Sequence, residues 1–194
     1  MEAQGNTQNG FNLTGQLLIA MPDMRDPRFA QSVVLICEHS ESGAIGLIIN
    51  KPSDSLSLGD LFQRLSIPHK EGAGNKELHF GGPVEGARGF VLHSSEYQAE
   101  PATLLVHKDI AMTTSVEILQ HMASGRGPEK SLVLLGYAGW AAGQLEEEIA
   151  HNGWLCCEST AGMVFDLDDG AKWRAALESL GVDALMLSSH AGQA

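Results

Sequence analysis

Short apolar runs bounded by glycine, proline or polar residues recur along the chain, and this pattern predicts β-strands. The clearest run is residues 131–135, SLVLL, whose continuous apolar character is typical of a strand buried on both faces. Polar residues at 40–43 separate two other runs, which we expect to form a hairpin. The predicted strands are residues 16–21, 32–37, 45–50, 77–80, 89–93, 103–107, 110–113, 131–135, 154–157, 163–166 and 184–187.

Apolar positions three and four residues apart predict four helices between these strands. Two of the helices start with a capping box, in which a hydroxyl residue and an acidic residue three positions later bond each other's backbone: Ser57 with Asp60, and Thr114 with Glu117. The helices begin at Ser57, at Thr114, after residues 136–139 and at Gly170, and their expected buried residues are Leu58, Leu61, Phe62 and Leu65; Val116, Leu119, Met122 and Ala123; Ala142, Leu145 and Ile149; and Trp173, Ala176, Leu177 and Leu180.

Some predicted strands pair as hairpins and others are separated by helices. The pattern therefore favours an α+β fold with a mixed sheet over a fully parallel one. The 194 residues suffice for one domain with a substantial core, which we place at residues 13–194. Residues 1–12 lack the basic and apolar segments of a secretory signal, so we expect them to form a disordered lead-in.

The formal net charge of −12 limits the classes of partner. Lysines and arginines are single and scattered, whereas DNA binding needs them clustered, so direct nucleic acid binding is not expected. An acidic surface also repels anionic lipid, and no apolar run approaches the roughly 20 residues of a transmembrane helix. We therefore expect no membrane partner and a cytoplasmic protein.

The cysteines and histidines do not follow the spacing of a metal centre or a disulfide framework. Cys37, Cys156 and Cys157 are an odd number and are expected to be free thiols, with Cys37 as a core residue of its apolar strand. The eight histidines are dispersed, and no G-x-S-x-G pentapeptide is present. We accordingly assign no catalytic residue, no metal and no cofactor.

The first candidate binding site follows the predicted strand at 131–135. Gly136, Tyr137 and Gly139 belong to a predicted glycine turn at residues 136–139 before a helix, where free backbone N–H groups would bind a phosphate or carboxylate. Tyr137 and Trp140 would line a pocket beside this turn. The glycine spacing misses G-x-G-x-x-G, although Glu158 stands about where a ribose-binding acid is expected. The competing interpretation is that the glycines permit close packing and the aromatic residues belong to the core.

A second glycine-rich block supplies the other candidates. Gly81 and Gly82 open a turn that leads to Arg88 at one end of a strand and His93 at the other. Arg88 suits an anionic group and His93 suits proton transfer. The structural alternatives are a surface ion pair between Arg88 and Glu85, and a hydrogen bond from His93 to a neighbouring strand.

Four ordered segments resemble the bacterial AlgH/YqgE family: IAMPDMRDPRFAQSVVLICEH, GGPVEGARGFVLH, LGYAGWAAGQLEEEI and SSHAGQA. The resemblance runs from about Gly15 to the C-terminus. It implies an α+β protein with a β-rich, partly barrel-like core and about four helices packed outside. One member is described as a regulator of alginate and virulence-gene expression in pseudomonads, so the resemblance also implies a regulatory role.

Three function classes remain open from the sequence. The leading hypothesis is a non-enzymatic protein that binds an unknown small molecule or protein and affects gene expression indirectly. The alternative is an enzyme or a nucleotide- or phosphate-binding protein that uses the glycine-rich turns with Arg88 and His93. The third, a direct DNA-binding regulator, is disfavoured by the net charge.

Overall fold

The computed structural model describes residues 12–99 and 101–183. Within them lie ten strands, four α-helices and one short π-helical segment, Gly162–Asp166. The strands are β1 Gln16–Ala20, β2 Val33–Ser40, β3 Gly43–Ile48, β4 Pro52–Ser57, β5 Glu77–Phe80, β6 Val84–Ser94, β7 Thr103–His107, β8 Ile110–Thr113, β9 Ser131–Ala141 and β10 Trp154–Glu158. The helices are α1 Leu58–Arg64, α2 Val116–Ala123, α3 Gln144–Ala150 and α4 Asp169–Ser179. The strand predicted at 184–187 lies outside the described residues.

The strands form one mixed sheet, which confirms the predicted fold class. Its main order is β10-β1-β2-β3-β9-β6-β8-β7, with β5 beside β9 and β4 beside β5. Only the β5–β9 pair among the described pairs is parallel, and the predicted β2–β3 hairpin is present. The sheet curls into half a barrel. Gly15, just before β1, lies against the Val106 carbonyl of β7, so opposite ends of the sheet come together there.

The two faces of the curled sheet are covered by different helices. On one face α4 packs its Ala176 and Leu177 against β1 and β2. On the other face, Leu145 of α3 packs with two tryptophans. Helices α1 and α2 together cover a third cluster around Leu78 and Val91. No helix in the described part of the chain has the length and apolar character needed to cross a membrane.

The predicted glycine turn at residues 136–139 is wrong, because β9 continues through it to Ala141. The first half of β9 pairs with β5 and β6, and its second half pairs with β3. Gly136 adopts a φ of +73°, and the β6 register shifts nearby. These glycines thus mark a local distortion inside a strand, where another backbone approaches closely.

Other differences arise where a segment's partners, and not its own pattern, decide its conformation. Residues 163–166 belong to the π-helical segment, which buries Val164, instead of forming a strand. Strand β4 was not predicted because PSDSLS contains a single large apolar residue. Strand β6 begins at Val84 and not at 89, and its residues 84–89 are all exposed. Exposed strands lack the apolar alternation on which sequence prediction depends.

The helix starts agree with the sequence in one case and differ in another. Ser57 and Asp60 form the predicted capping box of α1. The second box is wrong: α2 has Ser115 as its N-cap, without a side-chain capping bond. Four positions predicted to be buried are exposed, because three lie at the ends of their helices and one precedes its helix. They are Leu65, Val116, Leu180 and Ala142.

We predict that Gly136→Ala destabilises the fold more than Gly143→Ala. Both glycines have nearly the same positive φ, +73° and +76°, so both substitutions carry a similar penalty of about 1–2 kcal/mol. Only at Gly136 would the new carbon lie 2.3 Å from a backbone oxygen, that of Gly82, which adds roughly 1–3 kcal/mol. Urea unfolding measures both free energies, and equal values for the two variants would contradict the close approach.

Candidate functional site

Four of the predicted binding residues form a backbone crossing between β9 and the start of β6. The Gly81 N–H donates to the Leu135 carbonyl at 2.8 Å. A side chain on Gly82 would lie 2.1 Å from the Tyr137 backbone, and one on Gly136 would meet the Gly82 carbonyl. Gly81, Gly82 and Gly136 are buried. The structure therefore gives these glycines a packing role at the crossing.

Arg88 lies beside this crossing on the exposed part of β6. Its guanidinium donates to Glu85 at 3.0 Å and lies 5.2 Å from the Phe90 ring centre and 5.9 Å from that of Tyr137. The side chains of Arg88 and Glu85 are both about half exposed, 53% and 52%. This is the surface pair that the sequence offered as the structural alternative, and such pairs contribute little stability.

His93 is fully buried, and both of its ring nitrogens have partners. Its Nε2 lies 2.8 Å from the Thr113 hydroxyl of β8, and its Nδ1 lies 2.9 Å from the Ser94 carbonyl. Its ring also meets Tyr97 edge-on at 5.3 Å. Burial lowers the pKa of His93 below its ordinary value, because the interior disfavours the charged imidazolium. The side chain thus ties β6 to β8 and does not line the pockets described below.

Gly139 and Trp140, the two remaining candidates, line a pocket of about 450 Å³. Its walls come from the β1–β2 connection, the end of β9, α3 and the start of β10. We call it the Trp pocket, and it is lined by Met24, Asp26, Arg28, Phe29, Pro83, Gly139, Trp140, Gln144, Glu148, His151, Gly153 and Trp154. Its volume lies within the range of ordinary small-molecule sites.

A single carboxylate organises the wall of the Trp pocket. Glu148 Oε2 accepts the indole N–H of Trp140 at 2.9 Å and that of Trp154 at 2.8 Å. Its Oε1 accepts from the side-chain amide of Gln144 at 2.8 Å. Three neutral donors therefore fix the carboxylate, and the carboxylate in turn fixes both indole rings.

The aromatic rings of the pocket meet edge-to-face. Trp140 and Trp154 have ring centres 6.0 Å apart and planes at 80°. Phe29 meets Trp154 at 5.6 Å and 84°. These are favourable aromatic geometries, so the rings hold one another without a ligand.

The positive charge at the rim of the pocket is already neutralised. Arg28 donates from Nε and Nη2 to the two carboxylate oxygens of Asp26 at 2.7–3.1 Å. These bonds lower the pKa of Asp26. His151 is held by a 2.7 Å bond between its Nδ1 and the Glu147 carbonyl.

Glu158 lies elsewhere, in a second pocket of about 440 Å³. It shares this polar pocket with His107 at the end of β7, with Lys108 and Asp109 of the β7–β8 turn, and with Thr160. Glu158 is therefore not beside the residues 136–139 with which the sequence associated it. Among the described residues, no group of three or more His, Cys, Asp or Glu side chains is placed to hold a metal ion.

The cysteines have the environment of structural residues. Cys37 is buried in β2, as predicted, and burial raises the pKa of its thiol to about 12. Burial also raises the pKa of Cys156 to about 11. All three thiols are free. Thiols with raised pKa values are poor nucleophiles at neutral pH.

The sequence missed Glu148, Trp154, Phe29 and Arg28 as parts of the site. The acidic run Glu146–Glu147–Glu148 has the pattern of a solvated helix face, but only Glu147 is exposed and the other two are partly buried. A signal was present in α3 and the residue that follows it, because Gln144, Glu148 and His151 recur at intervals of four and three. Such spacing places polar residues on one helical stripe, which can line a site as well as a surface.

Comparisons with known proteins agree with this architecture. The family model described as AlgH-like (DUF179) matches residues 17–185. The chain belongs to the AlgH-like family. A UPF0301 protein of Cereibacter sphaeroides is 49% identical over 184 residues, covering 95% of this chain and 100% of the relative. A UPF0301 protein of Paracoccus denitrificans is 50% identical over 185 residues, covering 94% and 97%.

Two solved structures of similar proteins share the fold. The solution structure of the AlgH protein from Pseudomonas aeruginosa is similar to this AlgH-like chain with a TM-score of 0.77 and 43% identity, covering 100% of both chains. The crystal structure of protein DIP2367 from Corynebacterium diphtheriae gives a TM-score of 0.71 at 21% identity, covering 92% of this chain and 93% of that chain. The second likeness concerns the fold alone.

We predict that His93 makes the protein less stable in acid. The unfolded chain takes up the His93 proton near pH 6.5, whereas the folded protein takes it up only at lower pH, so acid favours unfolding. This one group adds a slope of at most about 1.4 kcal/mol per pH unit as the pH falls below that value. Urea unfolding of the wild type and of His93→Gln from pH 7.5 to 5 measures the difference. Parallel curves would show that His93 titrates equally in both states.

Proposed function

We propose that the protein is a non-enzymatic cytoplasmic binding module that holds a small organic molecule in the Trp pocket. The observation that carries the proposal is the Glu148 carboxylate, which fixes the indoles of Trp140 and Trp154 through hydrogen bonds of 2.9 and 2.8 Å. Side chains held in this way form a rigid wall before any ligand arrives. Preorganisation lowers the entropy lost on binding.

The lining of the Trp pocket suits binding better than chemistry. Its described wall contains no serine, threonine, cysteine or lysine nucleophile, which leaves Asp26, Glu148 and His151 as the reactive side chains. Asp26 is paired with Arg28, Glu148 accepts from three donors, and the Nδ1 atom of His151 is bonded to a carbonyl. Met24, Phe29 and Pro83 add apolar surface, so the pocket combines a large apolar area with a few fixed polar groups.

The alternative of a nucleotide or phosphate site has less support. Residues 136–139 belong to a continuous strand and present no helix start, and α3 has only seven residues. Arg88 is paired with Glu85, and Glu158 lies in the polar pocket. In the proposal, therefore, any effect on gene expression follows indirectly from ligand occupancy. The net charge of −12 opposes direct contact with DNA.

A thermal-shift screen of the whole chain against metabolites grouped by charge tests the proposal. A ligand at 100 times its dissociation constant stabilises the folded state by about 2.7 kcal/mol. We expect a saturable ligand whose affinity falls at least about tenfold in Phe29→Ala, since the substitution removes an aromatic ring from the pocket wall. Phe29 is only partly buried, in the β1–β2 connection, so the variant should fold.

Phe165→Ala is the matched control for this substitution. Phe165 is also partly buried, but it packs against the core on the opposite face of the sheet and does not line the Trp pocket. The affinity of this variant for the same ligand should equal that of the wild type. A ligand that binds Phe29→Ala as tightly as the wild type would place the site elsewhere, and a screen without any saturable ligand would contradict the proposal.

A further inference from the structure

The charges around the Trp pocket leave one carboxylate without a counter-ion. Arg28 and Asp26 neutralise each other at the rim through close paired bonds. The three donors to Glu148 are neutral, and among the described residues Glu148 forms no ion pair. Neutral donors stabilise a negative charge without cancelling it. The pocket therefore favours a ligand that brings a positive charge.

The aromatic lining of the pocket decides what kind of cation fits. Rings attract a cation through the negative charge of their faces, and tryptophan does so most strongly. Each indole here donates its N–H to a carboxylate, and a hydrogen bond of this kind polarises the donor and adds electron density to the ring. Trp140 and Trp154, which are 7% and 3% exposed and whose planes cross at 80°, form the deep wall of the pocket, and the partly buried Phe29 lies beside Trp154.

A strongly hydrated cation fits this lining poorly. A metal ion needs several oxygen ligands, and a primary ammonium needs three acceptors. Glu148 already accepts three bonds, the Asp26 carboxylate is held by Arg28, and the Gln144 side-chain oxygen accepts from the Ala141 N–H. The apolar residues Met24, Phe29 and Pro83 supply no side-chain acceptor of ordinary strength. A methylated ammonium needs few acceptors or none, presents apolar methyl groups to the rings and still carries a full charge.

On this basis we infer that the ligand of the Trp pocket carries a methylated ammonium group, bound against Trp140, Trp154 and Phe29 and balanced by Glu148. The inference rests on the proposed function, because it names the chemical class of the molecule held at the same site.

The test compares choline with 3,3-dimethyl-1-butanol, its uncharged carbon analogue, on the ¹⁵N-labelled wild-type chain. The chain has three tryptophans, so its spectrum contains three indole N–H signals. Choline should shift the signals of Trp140 and Trp154 in a saturable way. Trp173, whose indole donates to the Ala20 carbonyl at 2.8 Å and does not line the pocket, is the internal reference. We expect the uncharged analogue to bind at least about tenfold more weakly.

Two substitutions on α3 separate the pocket charge from the surface charge. Glu148→Gln should weaken choline binding at least about tenfold, because it removes the counter-charge while keeping the size of the side chain. Glu147→Gln removes the same charge one residue away from an exposed side chain and should change the affinity by less than about twofold, since exposed charges are screened. The choline comparison uses wild type, so it stands even where Glu148→Gln fails to fold.

The outcomes distinguish the inference from the function on which it rests. Equal binding of choline and its uncharged analogue at Trp140 and Trp154 would contradict the inference of a cationic ligand and would still support the proposed binding pocket. The inference would also be wrong, and the binding function supported, if an anion from the metabolite screen or inorganic phosphate shifts both signals when choline does not. If no compound moves these signals and the thermal-shift screen is also empty, both the inference and the proposed function fail.

Discussion

The eleven residues of β9 form hydrogen bonds to three other strands, and the rest of the structure depends on this shared pairing. Residues 133–135 lie between β5 and β6, and residues 138–141 pair with β3. One strand therefore joins the part of the sheet that carries α1 and α2 to the part that carries α3. A strand with neighbours on both sides is also hard to displace, since a change of its register would leave several backbone N–H and C=O groups without hydrogen-bond partners.

The glycines around β9 allow two backbone segments to approach more closely than any residue with a side chain would permit. The connection from β5 to β6 passes so close to residues 136–138 that a Cβ on Gly81, Gly82 or Gly136 would lie about 2.1–2.3 Å from backbone atoms. Real side chains never occupy such contacts, so these positions must be glycine for the strand to continue. The same crossing brings Pro83 beside Gly139, and both residues line the Trp pocket. The packing of the sheet thus positions part of the candidate site.

Local interactions were predictable from the sequence, and interactions set by distant partners were not. The capping box of Ser57 and Asp60 and the pair of Arg88 with Glu85 each join residues three apart, so spacing alone indicates them. The passage of β9 through residues 136–139 depends on β3 and β6, which no local pattern contains. For His93, the structural alternative predicted from the sequence was a hydrogen bond to the backbone of a neighbouring strand. Its partners are the Ser94 carbonyl and a hydroxyl on β8, a combination that requires the sheet order.

The acidic run on α3 shows why the sequence predicted only part of the candidate site. Three successive glutamates on a helix are usually a solvated face, and Glu147 follows that rule. Glu148 differs because folding brings two indole donors to it, from β9 and from β10. Those donors satisfy the hydrogen-bonding needs of the carboxylate, so the wall is stable without a ligand. They do not supply a positive charge, so the wall keeps an attraction for a cation. Stability and binding therefore draw on different properties of the same carboxylate: its acceptor oxygens hold the fold, and its charge remains available to a ligand.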